Sequence, residues 1–356
     1  MKTRLSTKHF FSFFCTALFA SGVLLSHPAA ADAAGARSFA APETVSAEMA
    51  KTVAAPPPAL WLTAPESDAA LSKMAANFAK AGAATAEAIV QQYGISVEET
   101  TLAGVPVRIL SPKAADPAKK GKVILYIHGG GYVFGHGIAG ITEGALLTGL
   151  EGWTVAAVDY RMAPEHRYPA AIDDAFAVYK ELLKDHRPQD IAVFGTSTGG
   201  AMTLILSLQA HAAGVPQPGA LISGTPWADI RKVGDTYFTN DGVDNVLGTY
   251  DKMVRTAAKA YVGSADPADP LISPVLAADE ALAAFPPTLL VSGTRDLFLS
   301  NTVRMHKRLL MNDVHAELIV HEALSHAQYY LNTKAPETAE HYQLLDDFLE
   351  RTLLKN

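Results

Sequence analysis

Three residues in the second half of the chain have the types that acyl transfer needs: a hydroxyl nucleophile, a carboxylate and an imidazole base. Ser197 stands in V-F-G-T-S-T-G-G, spanning residues 193–200. The apolar, β-branched run from Asp190 to Phe194 predicts a strand, and Ala201 to Ala213, rich in helix formers with apolar residues at helical spacing, predicts a helix. Gly195 and Gly199 flank the serine where a sharp strand-to-helix turn leaves no room for a side chain. Such a turn strains the serine, lifts its hydroxyl above the sheet and sets it at a helix N-terminus. G-x-S-x-G by itself recurs by chance in a chain rich in Gly and Ala, and its plain alternative is a glycine turn before an ordinary helix. The chemical reading gains weight from what accompanies it.

Asp296 lies just past a predicted strand at Thr288 to Ser292, in S-G-T-R-D-L-F, and His326 lies past the last predicted strand, in E-A-L-S-H-A-Q-Y. Ser197, Asp296 and His326 therefore each sit on a loop that follows a strand. In that arrangement His326 takes the serine proton and passes it to the leaving group, while Asp296 fixes the imidazole tautomer. His321 is the second candidate base, but at a strand terminus it has less freedom to reach over a sheet. His128-Gly129-Gly130-Gly131 follows the apolar run 122–127, and consecutive glycines expose backbone N–H groups suited to an oxyanion. Donation is assigned to the N–H groups of Gly130 and Gly131 with that of Thr198, and His128 is read as a structural hydrogen-bonder of the loop. Tyr132 and Phe134, next to the glycines, are candidate substrate walls or packing residues. Asp159, Arg161 and Glu165, near a strand end, are expected to form a supporting ion-pair network behind the site.

These loops need a scaffold. Residues 95–102 and 105–111 alternate around Ala103-Gly104 as an antiparallel hairpin does. From the strand at 122–127 onward, apolar strands at 154–158, 191–194, 220–223, 288–292 and 316–320 alternate with predicted helices, the last at 337–353. That rhythm predicts a mostly parallel, doubly wound α/β sheet with its site at the C-terminal strand ends. Residues 67–93 predict a pair of Ala-rich amphipathic helices broken near Gly82, read either as a brace for the core or as a cap. The segment 230–283 interrupts the strand rhythm and is expected to add to a cap and one pocket wall.

With these motifs on view, the sequence resembles the hormone-sensitive-lipase-like family of α/β-hydrolases, the bacterial esterase group. H-G-G-G-Y, D-Y-R-M-A-P-E-H-R-Y-P-A-A-I-D-D, G-T-S-T-G-G, T-P-W-A-D and S-G-T-R-D-L-F fall in the family's order from about Leu102 onward, and Ser, Asp, His is that fold's chain order. The resemblance implies a sheet of about eight strands, a helical cap from the N-terminal segment (59–94) with an insertion after the sixth strand, and a catalytic domain over 95–356. It also implies no cofactor or metal and hydrolysis of short- to medium-chain esters. Two departures stand out: Thr196 and Thr198 flank the serine where the commonest motif has Asp and Ala, and His326-Ala327-Gln328 replaces the frequent His-Gly-Phe. That ending resembles the branch of monoterpene ε-lactone hydrolases, which makes lactones an alternative substrate class.

Residues 1–31 read as a secretory signal. Lys2, Arg4 and Lys8 precede a sixteen-residue apolar run, Phe10 to Leu25, with Ala29-Ala30-Ala31 before Asp32. The run falls short of the roughly 20 residues that span a bilayer, so the expectation is a periplasmic or secreted protein without stable membrane insertion after cleavage. The only cysteine, Cys15, lies inside that run, which leaves the chain from Asp32 on without a disulfide or thiolate metal site. Residues 32–58, Ala- and Pro-rich, read as a tether with little fixed structure. A net charge of −7 with no basic run argues against nucleic acid and anionic membranes as partners, leaving a small ester or lactone. The oligomeric state does not follow from these residues. A non-catalytic binding protein on the same scaffold would have no need of serine, acid and base together, and a peptidase would need an access-gating domain for which this chain has no room.

Overall fold

The computed structural model describes residues 39–354, so the expected signal segment, 1–31, lies outside the described residues. Eight strands form one sheet in the order β1-β2-β4-β3-β5-β6-β7-β8. They are β1 (Ser96–Leu102), β2 (Val105–Ser111), β3 (Val123–Ile127), β4 (Val155–Val158), β5 (Ile191–Thr196), β6 (Ala220–Gly224), β7 (Thr288–Gly293) and β8 (Ala316–His321). β1 pairs antiparallel with β2, and β2 antiparallel with β4; every later pairing is parallel. The longer helices are α1 (Ala47–Val53), α2 (Asp68–Tyr93), α3 (Thr142–Glu151), α4 (Ala170–Leu182), α5 (Thr198–Ala213), α6 (Arg255–Val262), α7 (Leu299–Met311) and α8 (Pro336–Leu349).

β3 shows why the parallel strands read as unbroken apolar runs. Successive side chains point to opposite faces of a sheet, and here both faces are covered. Val123, Leu125 and Ile127 join one core with α4, α5 and α7, while Ile124 and Tyr126 join a second core with α1, α3 and α8. α5 is apolar almost all round and is buried along nearly its whole length, as a helix set against the middle of a sheet must be. The edge strand β8, whose residues are half-buried or exposed, carries Glu317 and His321, polar residues of a kind the buried strand β3 lacks apart from its tyrosine.

Two expectations are corrected. The N-terminal pair of helices is one continuous helix: α2 runs through Gly82, which is not a break but a point of close approach, since a Cβ there would stand 3.0 Å from the Ala139 Cβ. Within the stretch read as a tether, α1 is an ordered helix. Ser46 caps it by accepting from Met49 N, and the Ser46 N–H and hydroxyl both donate to the Glu337 carboxylate on α8, at 2.6 and 2.8 Å. Met49 and Val53 enter the second core, so the few apolar residues among the alanines decide the outcome that composition alone obscured.

If α1 belongs to the core, Met49→Ala should cost about 2–5 kcal/mol, the usual range for a buried Leu, Ile or Met truncated to Ala. Urea titration measures it as a lowered midpoint at unchanged slope. A tether would leave the midpoint where it is.

Candidate active site

The site begins at the end of β5. Ser197 follows the strand directly, with φ 64° and ψ −119°, and α5 starts at the next residue. Positive φ in a non-glycine residue costs on the order of 1–3 kcal/mol and persists only where the surroundings dictate it. They do so here. A side chain on Gly199 would overlap the Ile127 carbonyl oxygen at the end of β3, so only glycine lets the first turn of α5 press on the neighbouring strand. The Ser197 N–H donates to Gly224 O on β6 at 2.8 Å, and the Ser197 carbonyl accepts from Trp227 N and Ala201 N. The serine backbone is thereby held from three sides.

The glycine loop lies against this turn. A Cβ on Gly129 would come 2.7 Å from Thr196 O and 3.1 Å from Ser197 Cβ. Gly130 has φ 117° and Gly131 φ 67°, values open to glycine. Phe134 N and Val133 N donate back to Gly130 O, while the N–H groups of Gly130 and Gly131 take no part in the loop and turn hydrogen bonds among the described residues. Thr198, as the first residue of α5, has no intrahelical acceptor for its N–H. His128 fixes the loop: its Nδ1 lies 2.7 Å from Gly129 O and its ring stacks on Tyr160 at 4.2 Å, while the Tyr160 hydroxyl donates to His128 O at 2.8 Å. Burial lowers the His128 pKa, which favours a neutral ring.

The structure brings Asp296 and His326 together. His326 Nδ1 lies 3.0 Å from Asp296 Oδ1, both side chains are nearly or wholly buried, and the imidazole packs edge-on to Phe298. An ionised carboxylate can only accept, so at this contact Nδ1 is the donor. Asp296 Oδ2 accepts from Ser292 Oγ at 2.6 Å, and Oδ1 also accepts from Phe298 N at 2.8 Å. His321 is drawn elsewhere: its Nε2 lies 3.2 Å from His341 Nδ1, and burial lowers its pKa to about 4.

Ser197, His326, Gly129 and Gly130 line one cavity of about 360 Å³, with Trp61, Phe78, Gly82, Thr85 and Val246 among its other walls. A second, much smaller space that also touches Ser197 is lined by Gly131, Trp227, Leu247, Ala257 and Phe298. Tyr132 and Phe134 line neither space, which corrects their reading as substrate walls. Both are fully buried: Tyr132 stacks on Tyr261, and Phe134 packs behind Trp61 and Phe78, which face the cavity themselves. The ion-pair reading is also revised. Asp159 pairs with Arg108 and accepts from Gly137 N, Arg161 makes a bidentate pair with Asp174, and Glu165 bonds the Ser72 hydroxyl on α2, so these are separate contacts rather than one network.

Several residues that the sequence reading passed over hold the acid and base loops. In the 230–283 segment, Asn240 donates to Asp296 O, and Asp244 accepts from Leu297 N, Val246 N and Leu247 N. Burial, and then the charge of Asp296, push the Asp244 carboxyl up to about 6. Asn245 accepts from Ser325 Oγ and Gln328 Nε2 on either side of His326, and donates to Thr52 O and Ala55 O at the end of α1. The run N-D-G-V-D-N carried this signal as a turn-former with four side chains able to bond backbone, which shows nothing of which loop it would reach. Among the described residues no group of three or more His, Cys, Asp or Glu is gathered for a metal ion, and no helix is long and apolar enough to cross a membrane.

The family model described as an alpha/beta hydrolase fold matches residues 124–330, more than half of the chain. A crystal structure of an esterase, E25, superposes with a TM-score of 0.84 at 37% identity, covering 90% of this chain and 98% of that one. An esterase from the bacterial hormone-sensitive lipase family gives a TM-score of 0.68 at 29% identity over 73% of this chain and 85% of its own. Among curated proteins, an acetyl-hydrolase of Streptomyces hygroscopicus is 34% identical over 51% of this chain, and an esterase of Acinetobacter venetianus is 29% identical over 70%. The match spans 60% of the length of the Streptomyces protein and 80% of that from Acinetobacter. On fold, motif order and these likenesses together, the chain belongs to the α/β-hydrolases, in their hormone-sensitive-lipase-like branch.

Proposed function

We propose that the protein is a carboxylic ester hydrolase working through an acyl-enzyme on Ser197. The observation that carries this reading is the convergence on one cavity of Ser197 in a strained turn, His326 with its Nδ1 bound to buried Asp296, and the Gly129-Gly130 backbone. In this scheme Ser197 Oγ attacks the ester carbonyl carbon while its proton passes to His326 Nε2. The carbonyl oxygen gains the negative charge, and the N–H groups of Gly130, Gly131 and Thr198 are its donors. Collapse breaks the C–O bond to the alcohol, which leaves with the proton from His326 and the acyl group on Ser197. A water then gives its proton to His326, attacks the acyl carbon and releases the acid as the proton returns to Ser197 Oγ.

A cavity of about 360 Å³ sits near the low end of the usual range for ligand pockets, on the order of 300–1,000 Å³, and its walls are mostly apolar. That supports short to medium acyl chains, as does the likeness to a protein named for acetyl hydrolysis. The basic, apolar and small-residue pattern of residues 1–31 supports export to the periplasm or beyond.

A p-nitrophenyl ester series from acetate to palmitate tests the reading. The wild type should prefer the short esters, and Ser197→Ala should lose about 10⁴-fold or more in kcat, as should Asp296→Asn, which would stabilise the wrong tautomer. A wild type that is inert on every ester and is not labelled at Ser197 by a fluorophosphonate would overturn the assignment. Ser292→Ala, which deprives the Asp296 carboxylate of one hydrogen bond, should lower kcat by about tenfold or more with little change in KM, since a bond to a charged group is worth roughly 1.5–3 kcal/mol.

A further inference from the structure

Behind the nucleophile lies a carboxyl group that the acyl-transfer scheme leaves unused. Glu143, in the first turn of α3, is almost fully buried yet lines the same cavity as Ser197. Its two oxygens meet hydroxyls: Oε1 shares a hydrogen bond of 2.5 Å with Thr196 Oγ1, and Oε2 accepts from the Tyr126 hydroxyl at 3.1 Å. Thr196 is the residue before Ser197, and its hydroxyl is also 3.1 Å from that of Tyr329. The Tyr342 hydroxyl donates to the Glu143 backbone carbonyl at 3.2 Å.

We propose that Glu143, held uncharged, is a positioning residue for the nucleophile: through Thr196 it fixes the turn that presents Ser197, and loss of its proton disables the site. This rests on the acyl-transfer reading of Ser197 given above.

The surroundings argue for an uncharged group. The side chains that face Glu143 are the phenols of Tyr126 on β3, Tyr329 and Tyr330 beyond β8, and Tyr342 on α8, with His341 stacked on Tyr329. Burial raises the pKa of every one of these phenols, and burial lowers that of His341, so the Tyr–His wall is neutral near pH 7. His128 and His326 share the cavity, and burial lowers the pKa of His128 as well. Among the described residues no cation bonds the carboxyl, and burial pushes it up to about 8. A neutral acid here can both donate and accept, completing a chain from Tyr126 through Glu143 and Thr196 to Tyr329. An ionised one would bring a second negative charge into the cavity where the carbonyl oxygen gains its own, with little solvent to screen it.

Sign and window follow from the raised value. The folded protein keeps this proton between about pH 4.5, the ordinary value, and about pH 8, where the unfolded chain has lost it. The stability the neutral acid contributes is therefore complete at low pH and is lost as pH rises through that window. Gln, which mimics the protonated acid and cannot ionise, escapes the loss.

The test compares wild type, Glu143→Gln and Glu143→Ala across pH 5 to 9. We expect kcat of the wild type to fall above about pH 8. Glu143→Ala should lose about tenfold or more in kcat with KM nearly unchanged, and Glu143→Gln should recover most of that loss while shedding the alkaline fall. In parallel, the melting temperature of Glu143→Gln relative to wild type should rise steadily from pH 5 to 8. An alkaline limb in Glu143→Gln identical to that of the wild type, a wild-type kcat in Glu143→Ala, or a melting difference that does not change with pH would each overturn the proposal. The melting series needs no turnover, so it judges Glu143 even if Ser197 proves not to be the nucleophile, which would show instead as a wild type without ester hydrolysis or labelling.

Discussion

Everything in the site depends on how closely the backbone of α5 approaches the end of β3. Gly199 and Gly195 let the helix start where any side chain would collide with the Ile127 carbonyl, and that contact forces Ser197 into positive φ. A strained residue of this kind cannot hold itself. It is kept by the apolar burial of α5 against the sheet, by the bond from Ser197 N to Gly224 O, and by the Thr196 side chain wedged between Glu143 and Tyr329. The stability of the central sheet is thereby spent on the geometry of one hydroxyl.

The acid and base are held by a different means. The loop of His326 also carries positive φ, at Ala323 (61°) and Ala327 (58°), and the placement of Asp296 and His326 relies on polar ties from the segment between β6 and β7. Asp244 and Asn240 grip the backbone around Asp296, and Asn245 clasps both flanks of His326 and the end of α1. The segment at the chain's N-terminal side is thus coupled to the loop that carries the base through the side chains of Asn245 and Gln328, both of which donate to Thr52 O. Loosening α1 from α8 would be felt at His326 without touching the cavity.

How much of this was legible in the sequence follows from the range of the interactions involved. Strand and helix order, the hairpin and the turn at Ser197 are set by local periodicity and by glycines at fixed offsets, and those read directly. Asp296 and His326 could be placed because each follows a strand whose apolar run is visible. Contacts between distant segments could not be read. Glu143 is an acidic residue in the first turn of a helix, where a carboxylate usually serves the helix dipole in solvent, and only the packing of β3, α3 and the 329–342 region buries it. Tyr132 and Phe134 adjoin the glycine loop in sequence, yet the loop turns their rings into the core and leaves Trp61 and Phe78, far upstream, to face the cavity. Composition misled at α1, where alanines and prolines concealed a capped helix anchored by two bonds to Glu337.

The central claim is that one covalent intermediate forms on one side chain. Rapid acid quench of the protein during turnover of p-nitrophenyl acetate, followed by peptide mass spectrometry, tests it most directly. The account predicts an added acetyl group on the peptide that contains Ser197, formed in the same burst that releases the first equivalent of nitrophenol. Full turnover with no adduct at Ser197, or an acetyl group on another side chain, would contradict it.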